Sequence, residues 1–320
     1  MSVNRQETNA LLQVFANAGF GPGQAFPDPT QRLPHHAYYS ANSVMCEETG
    51  AALEYCHLKI GADSKLWLGS ASKEIGRLTQ GYATVKAGTN TMHIIHACGK
   101  PQGRKTTYLN IVANVRPQKG DPHRIRFTVS GDRSDYPGPT AIKTAEIQTA
   151  NLLFNSTIST KGGRFMCIEL KDFYLGTPMN RYEYMWIKMA NIPQDIIDQY
   201  GMTAKAVNGK VLVEIRKGMY NLKQAGRIAN YRLKLHLKSS GYVPCKYTPG
   251  LFTHISRKIS FVLCVDDFGV KYTNKADAQH LLTCLEQLYK CTTYWEGKLF
   301  LGMTLNWNYA EQWMEKSMPS

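Results

Sequence analysis

The chain has 320 residues, enough for about two domains at roughly 150 residues each, and its 43% hydrophobic and 19% charged side chains exclude a disordered tail, a collagen-like repeat and a coiled coil. With 38 basic against 24 acidic side chains the formal net charge is +14, which favours a polyanionic partner. No apolar run approaches the roughly 20 residues of a membrane span, the start MSVNRQETNA is polar, and the eight cysteines form no CxxC pair. No membrane association, no export, and a reducing compartment with buried thiols are therefore expected, with neither a zinc module nor a disulfide scaffold.

Residues 1–60 carry Gly, Pro, Asn and Thr without steady periodicity and read as a loosely ordered leader; GFGPG within it is no phosphate loop, because Pro22 interrupts it. Trp67, Ala71, Ile75 and Leu78 then recur at helical spacing, with Glu74 and Arg77 beside them. Alternation over 91–133 predicts three strands in a basic, solvent-facing sheet: residues 100–133 hold eight Lys/Arg against two Asp, a local +6. His93 and His96, three steps apart on a strand, point to opposite faces and make a poor metal pair. A helix is expected over Ala141–Asn155, a strand over Arg164–Leu170, an aromatic-rich linker at RYEYMWIKM and a strand over Lys210–Arg216.

A strong helix follows from about Lys223 to Ser239, with Ala225, Ile228, Arg232 and Leu235 on one face and Arg227, Tyr231, Lys234 and Lys238 on another. Residues 210–238 carry eight Lys/Arg against Glu214 alone, a local +7. Ile259–Val265 and Phe268–Tyr272 read as a hairpin whose tip holds Asp266 and Asp267. Asn274 is placed to cap a helix over Ala276–Lys290 with Leu281, Leu285 and Leu288 inward, and a strand over Lys298–Asn306 precedes a polar end. Strands and helices mixed in this way indicate an α+β fold with an antiparallel sheet.

The paired aspartates are the sharpest feature. Two adjacent like charges at the tip of the apolar strand SFVLCV repel each other unless a cation joins them, and carboxylate oxygens are the donors that hard divalent ions take. Paired divalent ions on such oxygens suit phosphoryl transfer. The competing reading is that Asp is common in hairpin turns.

The runs IELKDFYLGTPM (168–179), GMYNLKQAGRIANYRL (218–233), CVDDFGVKY (264–272) and KLFLGMTLNW (298–307), preceded by WLGSASKEIGRL (67–78) and RIRFTVSGDR (124–133), resemble in order and spacing the polymerase motifs of copia-type LTR retrotransposon reverse transcriptases. The resemblance covers about residues 60 to 310 and implies a right-hand polymerase with a thumb largely missing: leader 1–60, fingers-like region 61–160, palm 161–295 with a fingers insertion at about 180–240, and palm end with the start of a thumb at 296–320. It implies RNA-directed DNA polymerisation with two Mg2+ ions, or Mn2+, held by Asp266, Asp267 and Glu169, where Glu stands in place of the usual Asp. Arg124, Arg126, Asp172, Tyr174, Lys223 and Gln224 are implied at the nucleotide, with Tyr174 excluding a 2′-hydroxyl, and Gly302 is implied in support of the primer. Asn221 and Gly226 depart from the usual Gly and Pro. The implied partners are an RNA or DNA template with its primer and deoxynucleoside triphosphates, and the implied location is cytoplasmic, in a virus-like particle. The alternative is a catalytically decayed, truncated retroelement fragment that folds and binds nucleic acid without polymerising.

Overall fold

The computed structural model describes residues 44–46, 50–116 and 120–318, so most of the expected leader lies outside the described residues. In chain order the main elements are α1 (Ser64–Leu78), β1 (Met92–Ile95), β2 (Thr106–Val115), β3 (His123–Val129), α2 (Ile147–Ser159), β4 (Arg164–Lys171), β5 (Pro178–Lys188) and β6 (Lys210–Lys217). They continue as α3 (Ala225–Ser239), β7 (Tyr242–Pro244), β8 (Leu251–His254), β9 (Ile259–Cys264), β10 (Asp267–Tyr272), α4 (Lys275–Glu286), β11 (Lys290–Tyr294), β12 (Leu299–Phe300), β13 (Met303–Asn308) and β14 (Trp313–Ser317). The fold is α+β, built on two large sheets.

The first sheet runs β1-β6-β5-β2-β3, antiparallel except where β2 lies parallel to β5. One of its faces buries Ile125, Phe127, Met185, Ile187, Val211 and Val213 against α1. That helix presents Trp67, Ala71, Ile75 and Leu78, all buried as their spacing predicts. RYEYMWIKM is not a linker but the body of β5, at the centre of this sheet. Its alternation was hidden because both faces carry large apolar or aromatic groups: Met185 and Ile187 face the core, Tyr182 and Trp186 the other side.

The second sheet, β7-β8-β9-β10-β4-β11, is antiparallel throughout. Met166, Ile168, Leu170, Phe268 and Val270 pack one face against α3 and α4. Phe165, Cys167 and Val262 pack the other against α2 and the β12–β13 turn. Gly269 permits this second packing, because a Cβ there would meet the Phe300 and Phe165 rings at 2.8–2.9 Å.

Several expected boundaries move. The helix foreseen from Ala141 starts at Ile147, and the chain before it passes the Gly250 backbone, where Ala145 occupies the space a side chain would fill. In α3 the buried apolar positions are Ala225, Ala229, Leu233 and Leu237, a four-residue repeat with the polar Asn230 buried beside it, so Ala225 alone of the first expected face points fully inward and Leu235 is exposed. Asn274 caps α4, its Oδ1 accepting from the Ala276 N–H at 2.9 Å. The helix stops at Glu286 because 290–294 pair with β4 as an edge strand, and Leu288 is exposed while Leu281 and Leu285 are buried. The final expected strand is broken at Leu301–Gly302, both with positive φ, and the polar end is itself a strand, β14. Only Cys167 and Cys284 are fully buried, while Cys56 and Cys98 are exposed, so the thiols are less sequestered than expected. Among the described residues no helix is long and apolar enough to cross a membrane.

Candidate functional site

β10 lies beside β4 with Asp267 directly opposite Glu169, and the Leu170 N–H donates to the Asp266 carbonyl at 2.9 Å. Partners directly opposite in an antiparallel ladder share a face. Asp267 and Glu169 therefore emerge together on the α2 side of the second sheet, although nearly 100 residues of chain separate them. Asp266 sits in the two-residue turn that joins Cys264 to Asp267. The other turn residue, Val265, has φ +61°. A β-branched residue there is strained, at a cost of about 1–3 kcal/mol. The strained residue adjoins Asp266 in the turn that leads into Asp267.

Among the described residues no cationic side chain lies within ion-pair distance of these three carboxylates. Burial, then the charges of Asp266 and Glu169, push the Asp267 carboxyl up to about 6. Burial also raises Asp266; its own backbone N–H and Arg126 draw it back, and Glu169 adds to the rise. The group is a negative centre that no cationic side chain among the described residues pairs with directly. Its donors are hard oxygens, the right chemistry for Mg2+ or Mn2+. As the side chains stand, no three His, Cys, Asp or Glu among the described residues meet closely enough to enclose an ion, so the fit lies in donor type, charge and shared face rather than in a preformed cage.

A cleft of about 410 Å³ opens beside this centre, lined by Glu169, Asp267, Tyr294, Leu301 and Gly302 among others. Gly302 has φ +78° and nothing within 4 Å of the place a Cβ would take, so the turn is tight yet open toward the cleft.

The remaining sequence-predicted residues are placed in three settings. Arg126 stacks on the Tyr220 ring at 4.5 Å from its centroid, and its charge reaches Asp266. Tyr174 is half-buried, edge-on to Tyr220 at 6.1 Å; burial and then Asp266 raise its hydroxyl. Arg126, Tyr174 and Asp266 thus belong to one neighbourhood. Arg124 faces a second cleft, of about 380 Å³, between α1 and β3, with Lys73, Arg77, Lys86 and Arg116. Burial and then the Arg126 and Arg116 charges depress its guanidinium. Asp172 has φ +52° and is held by Arg77 at 2.6 Å, while Arg77 also grips Glu74 through two hydrogen bonds at 2.7–2.8 Å.

Lys223 is exposed at the turn before α3. Gln224 is different: it is 1% exposed, and its Nε2 donates to Glu183 at 2.9 Å. Its Oε1 is buried with no partner among the described residues. Sequence reasoning missed Tyr220, on which Arg77 and Arg126 converge. It lies inside the run GMYNLKQ, and its only signal was an aromatic beside a basic turn. It also missed Glu183, buried between Arg104 and Arg181, whose signal was an acid within an otherwise aromatic strand.

A scan against protein-family models finds no match to this chain. A search of curated proteins likewise finds none.

Proposed function

We propose that the chain is an RNA-directed DNA polymerase domain of the copia type, with Asp266, Asp267 and Glu169 as its metal-holding carboxylates. The observation that carries this reading is the register that sets Asp267 opposite Glu169 with Asp266 on the adjoining turn and, among the described residues, no ion pair to any of them. A pair of divalent ions held there by Asp266, Asp267 and Glu169 would supply activation of a primer hydroxyl and stabilisation of the leaving pyrophosphate. The protein's own residues do the rest. Arg126, stacked on Tyr220, brings a fixed positive charge whose field reaches Asp266 and would meet a phosphate chain there. Tyr174, edge-on to Tyr220, narrows the room for a sugar beside them. Gly302, which lines the same cleft as Glu169 and Asp267, lets a primer end approach the backbone. The overall charge of +14 holds template and primer phosphates in a salt-dependent way.

Glu169 supports the reading less directly than an Asp would, since one more methylene adds a rotamer to a site that demands fixed geometry. A nucleic-acid-binding fragment without catalysis is the second reading, favoured by the lack of a preformed ion cage.

Primer extension on an RNA template with Mg2+ or Mn2+ decides between them. The polymerase reading predicts extension by the natural chain and a loss of at least about 100-fold in Asp266→Asn, with an unaltered circular-dichroism spectrum. No extension by the natural chain with either ion, alongside retained nucleic-acid binding, selects the second reading.

A further inference from the structure

On the first sheet, the face opposite the core carries a feature that the polymerase reading does not use. Lys188 and Lys210 are directly opposed on β5 and β6. The next pair along, Met189 and Gly209, is joined by the Met189 N–H to the Gly209 carbonyl. Lys188–Lys210 is therefore a non-hydrogen-bonded pair, the kind whose side chains approach most closely. Like charges so placed destabilise a sheet. Neither ammonium has an acidic partner among the described residues; Lys210 instead sits 5.8 Å from the Tyr108 ring centroid.

The row beside these lysines is aromatic. Trp186 is directly opposed to Tyr108 on β2 and to Leu212 on β6, and it shares its face with Lys188, two residues on. Tyr108 is 37% exposed and carries Arg133 at 5.0 Å from its centroid. A cleft of about 470 Å³ opens here, lined by Tyr108, Arg133, Trp186, Lys188 and Asn191 among others. Flat rings flanked by cations, on a rigid sheet, suit a ligand that alternates planar bases with phosphates. An acidic peptide would answer the lysines but leave the ring faces without a use. A duplex would answer the lysines while keeping its base faces stacked within itself.

We propose that this face is a single-stranded nucleic-acid platform, with phosphate bridging Lys188 and Lys210 and bases stacking on Trp186 and Tyr108. It stands apart from the carboxylate centre, so it does not depend on whether the chain polymerises.

The test is fluorescence anisotropy with a labelled 15-nucleotide oligo(U), together with thermal unfolding. Lys188→Glu converts the opposed like charges into an opposite pair, so it should raise the melting temperature while weakening oligo(U) binding about tenfold and flattening the salt dependence by one to two units of slope. A variant that is both more stable and a poorer binder cannot owe its loss to misfolding. Trp186→Ala should weaken binding about fivefold to tenfold with the salt slope unchanged. Lys234→Glu/Lys238→Glu, twice the change of charge and placed on α3, should weaken it less than threefold. The proposal is overturned if Lys188→Glu binds like the natural chain, if the α3 pair costs as much, or if a polyglutamate peptide or a duplex of equal length competes as well as unlabelled oligo(U).

Discussion

Glu183 on β5 and the group formed by Glu169, Asp266 and Asp267 are all carboxylates at least partly drawn from water or crowded by like charge, and the chain treats them in opposite ways. Glu183 is 3% exposed and meets Arg104 at 3.1 Å, Arg181 at 2.9 Å and the Gln224 amide at 2.9 Å. Burial still holds its carboxyl above the usual range, with the two arginines drawing it back. The β9–β10 group has no such ion pairs; burial raises Asp266 and Asp267, and the neighbouring carboxylate charges add to the rise. A buried charge with every donor in place belongs to the architecture. A cluster of half-exposed charges left to repel one another is reserved for something that arrives from outside.

Removing the satisfied carboxylate should have the largest effect on stability. Glu183→Ala leaves Arg104 and Arg181 partly buried without their shared partner, and should cost about 3–5 kcal/mol in a urea titration. A loss below about 1 kcal/mol would erase the contrast between the two sites.

Neutralising the unsatisfied group should act in the other direction. Asp267 has a folded-state value of about 6 against an unfolded value of about 3.9. Its contribution to stability is thus fully present below the unfolded value and lost as pH rises through the folded one. Asp267→Asn should therefore stabilise the protein at pH 7.5 by about 1 kcal/mol, after allowing for solvent screening, and the gain should fade to nothing near pH 4. A gain that is constant between pH 4 and pH 7.5 would assign the effect to packing rather than charge.

The smallest effect concerns the turn. Val265→Gly removes the strain of a β-branched residue at φ +61° but adds freedom to the unfolded chain, for a net gain of about 0.5 kcal/mol. It should also slow primer extension, because the carboxylate-bearing tip becomes less fixed. A stabilised variant with undiminished extension would separate the turn's strain from the site's function.

Much of the second sheet was legible because its strands are marked by local signals. SFVLCV and FGVKY flank two aspartates, Asn274 stands where a cap is needed, and Arg164–Leu170 carries a short apolar run, Phe165 to Ile168, between charged residues. The pairing of Glu169 with Asp267 was not legible from either segment alone, since no short-range rule sets the register of strands so far apart. The resemblance of the surrounding motifs grouped the three carboxylates but carried no register. The first sheet was harder. β5 carries aromatics on the face away from its core, so the two-residue period did not separate apolar from polar positions. On α3 the core stripe is Ala225, Ala229, Leu233 and Leu237. Small alanines weigh little in a hydrophobic pattern, and the exposed Leu235 drew the expected face aside. Gln224 and Glu183 find each other only through tertiary packing.

The account rests on the β9–β10 carboxylates receiving a divalent ion, and Mn2+ binding followed by electron paramagnetic resonance measures this most directly. The natural chain should take up Mn2+ saturably, Mg2+ should displace it, and Asp266→Asn/Asp267→Asn should lose that uptake while keeping its fold. Equal Mn2+ uptake by the double variant, or none by the natural chain even with primer, template and nucleotide present, would contradict it.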